Sequence, residues 1–167
     1  QEPDPYVKAA LDFALLEDFD HLYRYADMME SENGQRAESL VGGYTEIMPG
    51  RPTIAHHRFP KDNVRRAINA KQSPKETVLA TMIITAAEQQ TMNYYMNISQ
   101  WYKNDLGRKL YAEIGMVEEQ HVTQYESLKD PTCTWLEQWV LHEYTEAYLY
   151  YSAKREEKDN YNGKENS

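Results

Sequence analysis

The sequence predicts an all-α fold, a four-helix bundle with a long connector between its first and second helices. Three observations predict it. Apolar residues recur at helical spacing over four long segments. The seven prolines and seven glycines punctuate the chain between those segments, and only Gly115 intrudes into the interior of one. No stretch alternates apolar and polar residues as a strand would.

The first helix is expected from about Pro5 to Glu30, with Leu11, Ala14, Leu15, Asp18, Leu22, Tyr25 and Met29 on one stripe. A connector follows from Ser31 to Gln72. It holds Gly42, Gly43, Pro49, Gly50, Pro52 and Pro60, and a short helix is expected at Asp62–Ala70. A connector of that length crosses a bundle or has work of its own. The second helix starts at "SPKE", with Ser73 as N-cap, Pro74 in the first turn and Glu76 closing a capping box. It runs to about Tyr102, with Thr81, Ile84, Glu88, Thr91, Tyr95 and Ile98 in line. After the turn "NDLG", the third helix reaches about Leu128 and turns Leu110, Ile114, Val117, Glu118, His121 and Tyr125 inward. Thr134 and Glu137 form a second capping box. The fourth helix then carries Leu136, Trp139, Val140, Glu143, Glu146, Ala147 and Tyr150 on one side. Residues 1–158 are expected as one bundle domain and 159–167 as a frayed polar tail.

Composition narrows the function. A net charge of -9 argues against unaided binding to nucleic acid or to an anionic membrane. No apolar run approaches the roughly 20 residues that span a bilayer. The lone Cys133 builds neither an internal disulfide nor a Cys-x-x-Cys metal knuckle, which fits a reducing cytoplasm. Tyrosine is oddly frequent, 14 against 3 phenylalanines, and its polar tip suits a core that contains groups to be hydrogen-bonded. His142 reads as a helix-flank residue, His56 and His57 as connector surface residues, and Glu119 as solvent-facing.

Each helix breaks its own apolar stripe with ionisable groups near its middle. The first offers Glu17, Asp18 and His21, the second Glu88, the third Glu118 and His121, the fourth Glu143 and Glu146. At about 100° per residue, Asp18 sits at the centre of its stripe, His21 at the flank and Glu17 further round. Packed together, these groups make a carboxylate- and imidazole-rich layer inside a core. Burying such charges unpaired costs several kcal/mol, and two divalent cations would offset it. A Glu from each of two helices and Glu-x-x-His from each of two others is the ligand set of di-iron carboxylate bundles. Here Glu118 and His121 make one such pair, and Asp18 with His21 can make the second. Glu88 and either Glu143 or Glu146 would complete the set.

The pattern of "EEQHVTQYE" on the third helix, Glu88 on the second and "HEYTEAYLYY" on the fourth resembles the ferritin-like superfamily, and within it the rubrerythrin-type di-iron proteins. The resemblance covers helices two to four well and the first less well. It implies an up-and-down bundle and two iron ions, or manganese, or a mixed pair, bridged by carboxylates. The implied activity is reduction of hydrogen peroxide or dioxygen, with iron oxidation for storage as the alternative on the same scaffold. It assigns Glu118 as bridging and His121 as terminal ligand, with Glu17 or Asp18 serving beside His21. Tyr95, Tyr125 or Tyr144 would hydrogen-bond an oxygen species or relay an electron. A rubredoxin-like electron donor must be a separate protein, because one cysteine cannot build that module. The family's crossover follows its second helix, whereas the long connector here follows the first. That points to a permuted helix order, a helix swapped within a homodimer, or a chain cut from something longer. A metal-free helical interaction module is the competing expectation.

Overall fold

A computed structural model describes residues 2–41 and 60–164, the side chains of Leu16, Pro60, Asp62 and 158–164 excepted. The described residues are all-helical apart from turns and connections. They form α1 (Pro5–Asn33), α2 (Ala37–Val41), a 3₁₀ turn (Pro60–Asn63), α3 (Lys75–Ser99), α4 (Asp105–Glu126) and α5 (Trp135–Lys164). The helices expected first to fourth are thus α1, α3, α4 and α5. His56 and His57 and the glycine- and proline-rich middle of the connector lie outside the described residues.

α1 begins where Asp4 accepts hydrogen bonds from the amides of Tyr6 (2.8 Å) and Val7 (3.2 Å), with Pro5 in the first turn. It ends at Gly34, whose φ of 66° is the left-handed conformation that only glycine adopts without cost. The Glu30 carboxylate then accepts the amide of Ala37 at 2.8 Å and starts α2. At α4, Asn104 caps the helix by accepting from the Gly107 amide at 2.7 Å. The Thr134 and Glu137 capping box forms as expected, the two residues bonding each other's amides at 3.3 and 2.8 Å.

Other expectations give way. The Ser73 and Glu76 box does not form: α3 starts after Pro74 with no side-chain cap. The helix expected over residues 62–70 is instead a strap, because outside partners take its amides. Arg65 donates to Ser127 Oγ (2.7 Å), Arg66 to the Tyr6 hydroxyl (2.8 Å), Ile68 to the Leu128 carbonyl (2.8 Å) and Ala70 to Asp130 Oδ2 (2.8 Å). Residues 159–164, expected as a frayed tail, continue α5.

α3 and α4 pair extensively, α1 packs on α4, and α5 touches α3. The buried stripe of α1 is Val7, Ala10, Ala14, Glu17 and His21, spaced 3, 4, 3 and 4. It lies to one side of the expected stripe, and Leu15 is half exposed. Small alanines let α1 approach Tyr125 and Leu128 closely, whereas a reading weighted to leucines turns the helix too far. One apolar cluster (Val7, Ala10, Ala14, Tyr125, Leu128) lies toward the start of α1, and a second (Tyr23, Ala26, Ala37, Val41) toward its end. Between them comes a polar layer.

The largest departure is α5. Its expected inward stripe is open to solvent: Leu136, Trp139, Val140 and Tyr150 are all exposed, and Thr145 alone is buried among the helix's described side chains. No helix among the described residues is long and apolar enough to cross a membrane.

Candidate metal centre

The polar layer is built from the middles of three helices. On α1, Glu17 and His21 are one turn apart on the buried stripe, and Asp18 lies beside them with its side chain 43% exposed. α3 contributes Glu88, on the stripe that also buries Thr77, Thr81 and Thr85. α4 contributes Glu118 and His121, three residues apart on one buried face flanked by Ile114, Val117 and Tyr125.

His121 is the hub. Its Nε2 lies 2.6 Å from Glu17 Oε2. Its Nδ1 lies 3.3 Å from Glu118 Oε2, 3.5 Å from Glu88 Oε2 and 3.8 Å from Asp18 Oδ1. His21 Nδ1 stands 3.2 Å from the other Glu118 oxygen and 3.9 Å from Asp18, and the two imidazole rings are 6.3 Å apart. One ligand atom each from Asp18, Glu88, Glu118 and His121 lie within 4.8 Å of one another. A hollow of about 340 Å³ opens beside them, lined by Asp18, His21, Tyr25, Glu88, Tyr95 and Glu118 among others.

The electrostatics are those of crowded acids. Burial, with the negative charge nearby, raises Asp18, and burial pushes Glu88 up to about 7 even though His121 pulls it down. Burial acts to raise Glu118 too, but contacts with His121, His21 and Glu88 outweigh it and hold its carboxyl well below the usual range. Burial disfavours a charged His121, and the carboxylates of Glu118, Glu17 and Glu88 overcome it, pushing the imidazole up to about 11. Even so, four carboxylates face two imidazoles. His21 Nε2, Glu118 Oε2 and His121 Nδ1 are buried and make no hydrogen bond. Buried polar atoms are almost always satisfied, so Glu118 Oε2 and His121 Nδ1, both within the Asp18, Glu88, Glu118 and His121 group, leave a place that could hold a cation. The donors are oxygen and imidazole nitrogen with no thiolate, a set suited to iron, manganese or zinc.

The structure brings together Glu17, Asp18, His21, Glu88, Glu118 and His121. The order of burial on α1 is the reverse of the expected one, since Glu17 is buried and Asp18 partly open. Glu143 and Glu146 do not join them. Both are exposed on α5, where Glu146 sits 3.5 Å from His142. Tyr95 lines the hollow, Tyr125 lies buried with its ring 6.3 Å from that of His121, and Tyr144 is exposed on α5. Two participants escaped the sequence reading. Tyr25 reads in the sequence as a stripe residue only, yet it stands one turn beyond His21 and lines the same hollow. Gln124 is fully buried, donates to the Ala10 carbonyl at 3.0 Å and accepts from Arg65 at 3.1 Å, fixing α1 against α4 behind the centre. No family model, curated protein or solved structure matches the chain.

Proposed function

We propose that this chain is a dinuclear-metal carboxylate protein on a ferritin-like helical scaffold, with iron as the resident metal and hydrogen peroxide or dioxygen as oxidant. The observation that carries the reading is the buried carboxylate and imidazole layer, in which ligand atoms of Asp18, Glu88, Glu118 and His121 converge and Glu118 Oε2 and His121 Nδ1 make no hydrogen bond. Glu88, Glu118 and His121 with Asp18 would hold one ion, and His21 with Glu118 and Asp18 the other. Glu118 faces both histidines through different oxygens, the disposition of a bridging carboxylate. Glu17, bonded to His121 Nε2, orients that ring and fixes its tautomer. Bound iron supplies the two electrons that peroxide reduction needs. Tyr25 and Tyr95 line the approach, where their phenols can donate hydrogen bonds to an entering oxidant.

The reading includes a fourth side. α5 carries Glu143 and Glu146 along an apolar stripe that the described residues leave open, and among the described residues the centre draws its carboxylates from α1, α3 and α4 alone. A second copy would lay its α5 over the open hollow, so that the homodimer completes the ligand set. The reducing equivalents come from a separate electron-carrier protein in a cytoplasmic setting.

The test is metal content per chain by mass spectrometry, on protein purified without chelator, together with anaerobic ferrous titration. About two metal ions per chain support the reading. No metal, and no ferrous uptake by the wild type, leaves the competing reading of a metal-free interaction module. Sedimentation of the loaded protein tests the fourth side: fully loaded monomer excludes the exchanged α5.

A further inference from the structure

The aromatic wall of the hollow beside the centre continues beyond Tyr25 and Tyr95. Their rings stack at 5.9 Å between centroids, and each also meets Tyr111, at 5.4 and 5.8 Å. Tyr111 in turn lies 5.3 Å from Tyr102. Four phenol rings in van der Waals succession therefore run from the wall of the centre, through α1, α3 and α4, to the turn after α3. There Tyr102 borders a surface hollow of about 590 Å³ lined by Glu32, Trp101, Lys103 and Asn104, with Trp101 81% exposed.

We propose that Tyr25, Tyr95, Tyr111 and Tyr102 form a route for single electrons between the carboxylate–histidine centre and the surface hollow at Trp101.

Three features set this group apart from ordinary aromatic packing. All four rings are tyrosine, although phenylalanine would fill the same space without a hydroxyl to satisfy. The outer ring has a proton acceptor in place: the Tyr102 hydroxyl donates to Glu32 at 2.7 Å, and Glu32 is held in turn by Asn104. The outer ring is also given its seat, because Tyr102 lies over Gly107 so closely that any Cβ there would collide with it. Burial first of all keeps the phenols of Tyr25, Tyr95 and Tyr111 protonated, so oxidation must move a proton with the electron.

The step balances as follows. When peroxide has oxidised the centre, Tyr102 loses one electron inward along the ladder and its proton to Glu32, leaving a neutral tyrosyl radical at the surface. A one-electron donor docked at the hollow returns the electron, and Glu32 returns the proton. Two such transfers supply the two electrons that convert one peroxide, with two protons from solvent, to two waters. Tyr94, 54% exposed and edge-on to Tyr95 at 5.4 Å, is a branch that bypasses Tyr111.

The inference rests on the proposed redox metal centre, and its test separates the two. Protein loaded anaerobically with ferrous iron, its uptake measured, is treated with hydrogen peroxide in the presence of a nitroso spin trap. Adducts are then mapped by peptide mass spectrometry. The ladder predicts adducts on Tyr102 and Tyr94 in the wild type. In Tyr111→Phe, which retains the ring, the Tyr102 adduct is lost while the Tyr94 adduct and iron uptake persist. Undiminished Tyr102 adduct in Tyr111→Phe overturns the ladder, as does consumption of peroxide by iron-loaded wild type without any tyrosyl adduct; in both cases the metal centre stands. Failure to take up iron removes the metal centre and the ladder with it.

Discussion

Along α1, α3 and α4, carboxylates and imidazoles are buried, while along α5 tryptophan, leucine and valine side chains are open to solvent. Both regions invert the usual partition, in opposite senses. The first is an excess of buried negative charge, and the second an excess of exposed apolar surface. Helical periodicity is present in both, so periodicity says that a helix has a distinct face without saying what covers it. Along α1, α3 and α4 the cover is protein, and the polar layer could hold a cation. On α5 the stripe has no cover within the chain's described residues.

Substitutions at matched positions sharpen the contrast. His121→Ala removes the hub from Glu17, Glu88 and Glu118, and breaking a buried pair of this kind costs about 3–5 kcal/mol. Glu143→Gln on exposed α5 is expected to change stability within about 0.5 kcal/mol. Urea denaturation of both metal-free variants decides it. Similar losses in the two would mean that α5 is as integral to the fold as the centre.

Next comes the apolar pair. Leu128→Ala opens a cavity in the cluster with Val7 and Tyr125 and should cost about 2–5 kcal/mol. Leu136→Ala on exposed α5 should leave the denaturation midpoint of dilute protein almost unmoved. If instead Leu136→Ala destabilises at high protein concentration only, a second copy covers that stripe.

Cation binding should then erase the charge side of the contrast. At free metal about 100-fold above its dissociation constant, linkage supplies about 2.7 kcal/mol, a melting shift on the order of 5–10 °C for a chain of this size. Thermal scans with ferrous or cobaltous ion measure it, and His121→Ala should abolish the shift. A shift of equal size in that variant would place the metal elsewhere.

The smallest effect is at the start of α5. Bonds from Lys71 and from the Thr134 amide and hydroxyl lower the Glu137 carboxyl from 4.5 to about 2. Its folded value is below its unfolded one, so its contribution is fully present above about pH 4.5 and lost as pH falls through about 2. The pair is exposed, so solvent screens it. Glu137→Gln should lower the melting temperature slightly at neutral pH and flatten the acid limb, so that its difference from wild type shrinks as pH falls through that window. A larger effect at pH 3 than at pH 7 would contradict the assignment.

The helices and the centre were unequally legible. α3 and α4 could be read closely because Thr81, Glu88, Ile114, Glu118 and His121 mark their buried faces in strict register. The contact face of α1 is made of Ala10 and Ala14, which carry little hydrophobic signal, so the leucine pattern turns Asp18 inward where the structure buries Glu17. The strap could not be read at all. "VRRAINA" has helical propensity, and what unwinds it are acceptors some 60 residues away at Ser127, Leu128 and Asp130. Nor could α5 be placed, since an amphipathic pattern is the same whether its cover is its own chain or another molecule.

The strap has a consequence for how this sequence tolerates change. Its four anchoring donors are main-chain amides, which every residue except proline provides. Replacing Arg66 or Ala70 by most other residues therefore leaves the anchoring donors intact, whereas proline at 65, 66, 68 or 70 deletes one. As far as these bonds are concerned, the strap is restricted only against proline, whereas its receiving posts, the hydroxyls of Tyr6 and Ser127 and the carboxylate of Asp130, are confined. A segment that looks like a variable linker by its letters can thus keep the same course for as long as three distant side chains stay what they are.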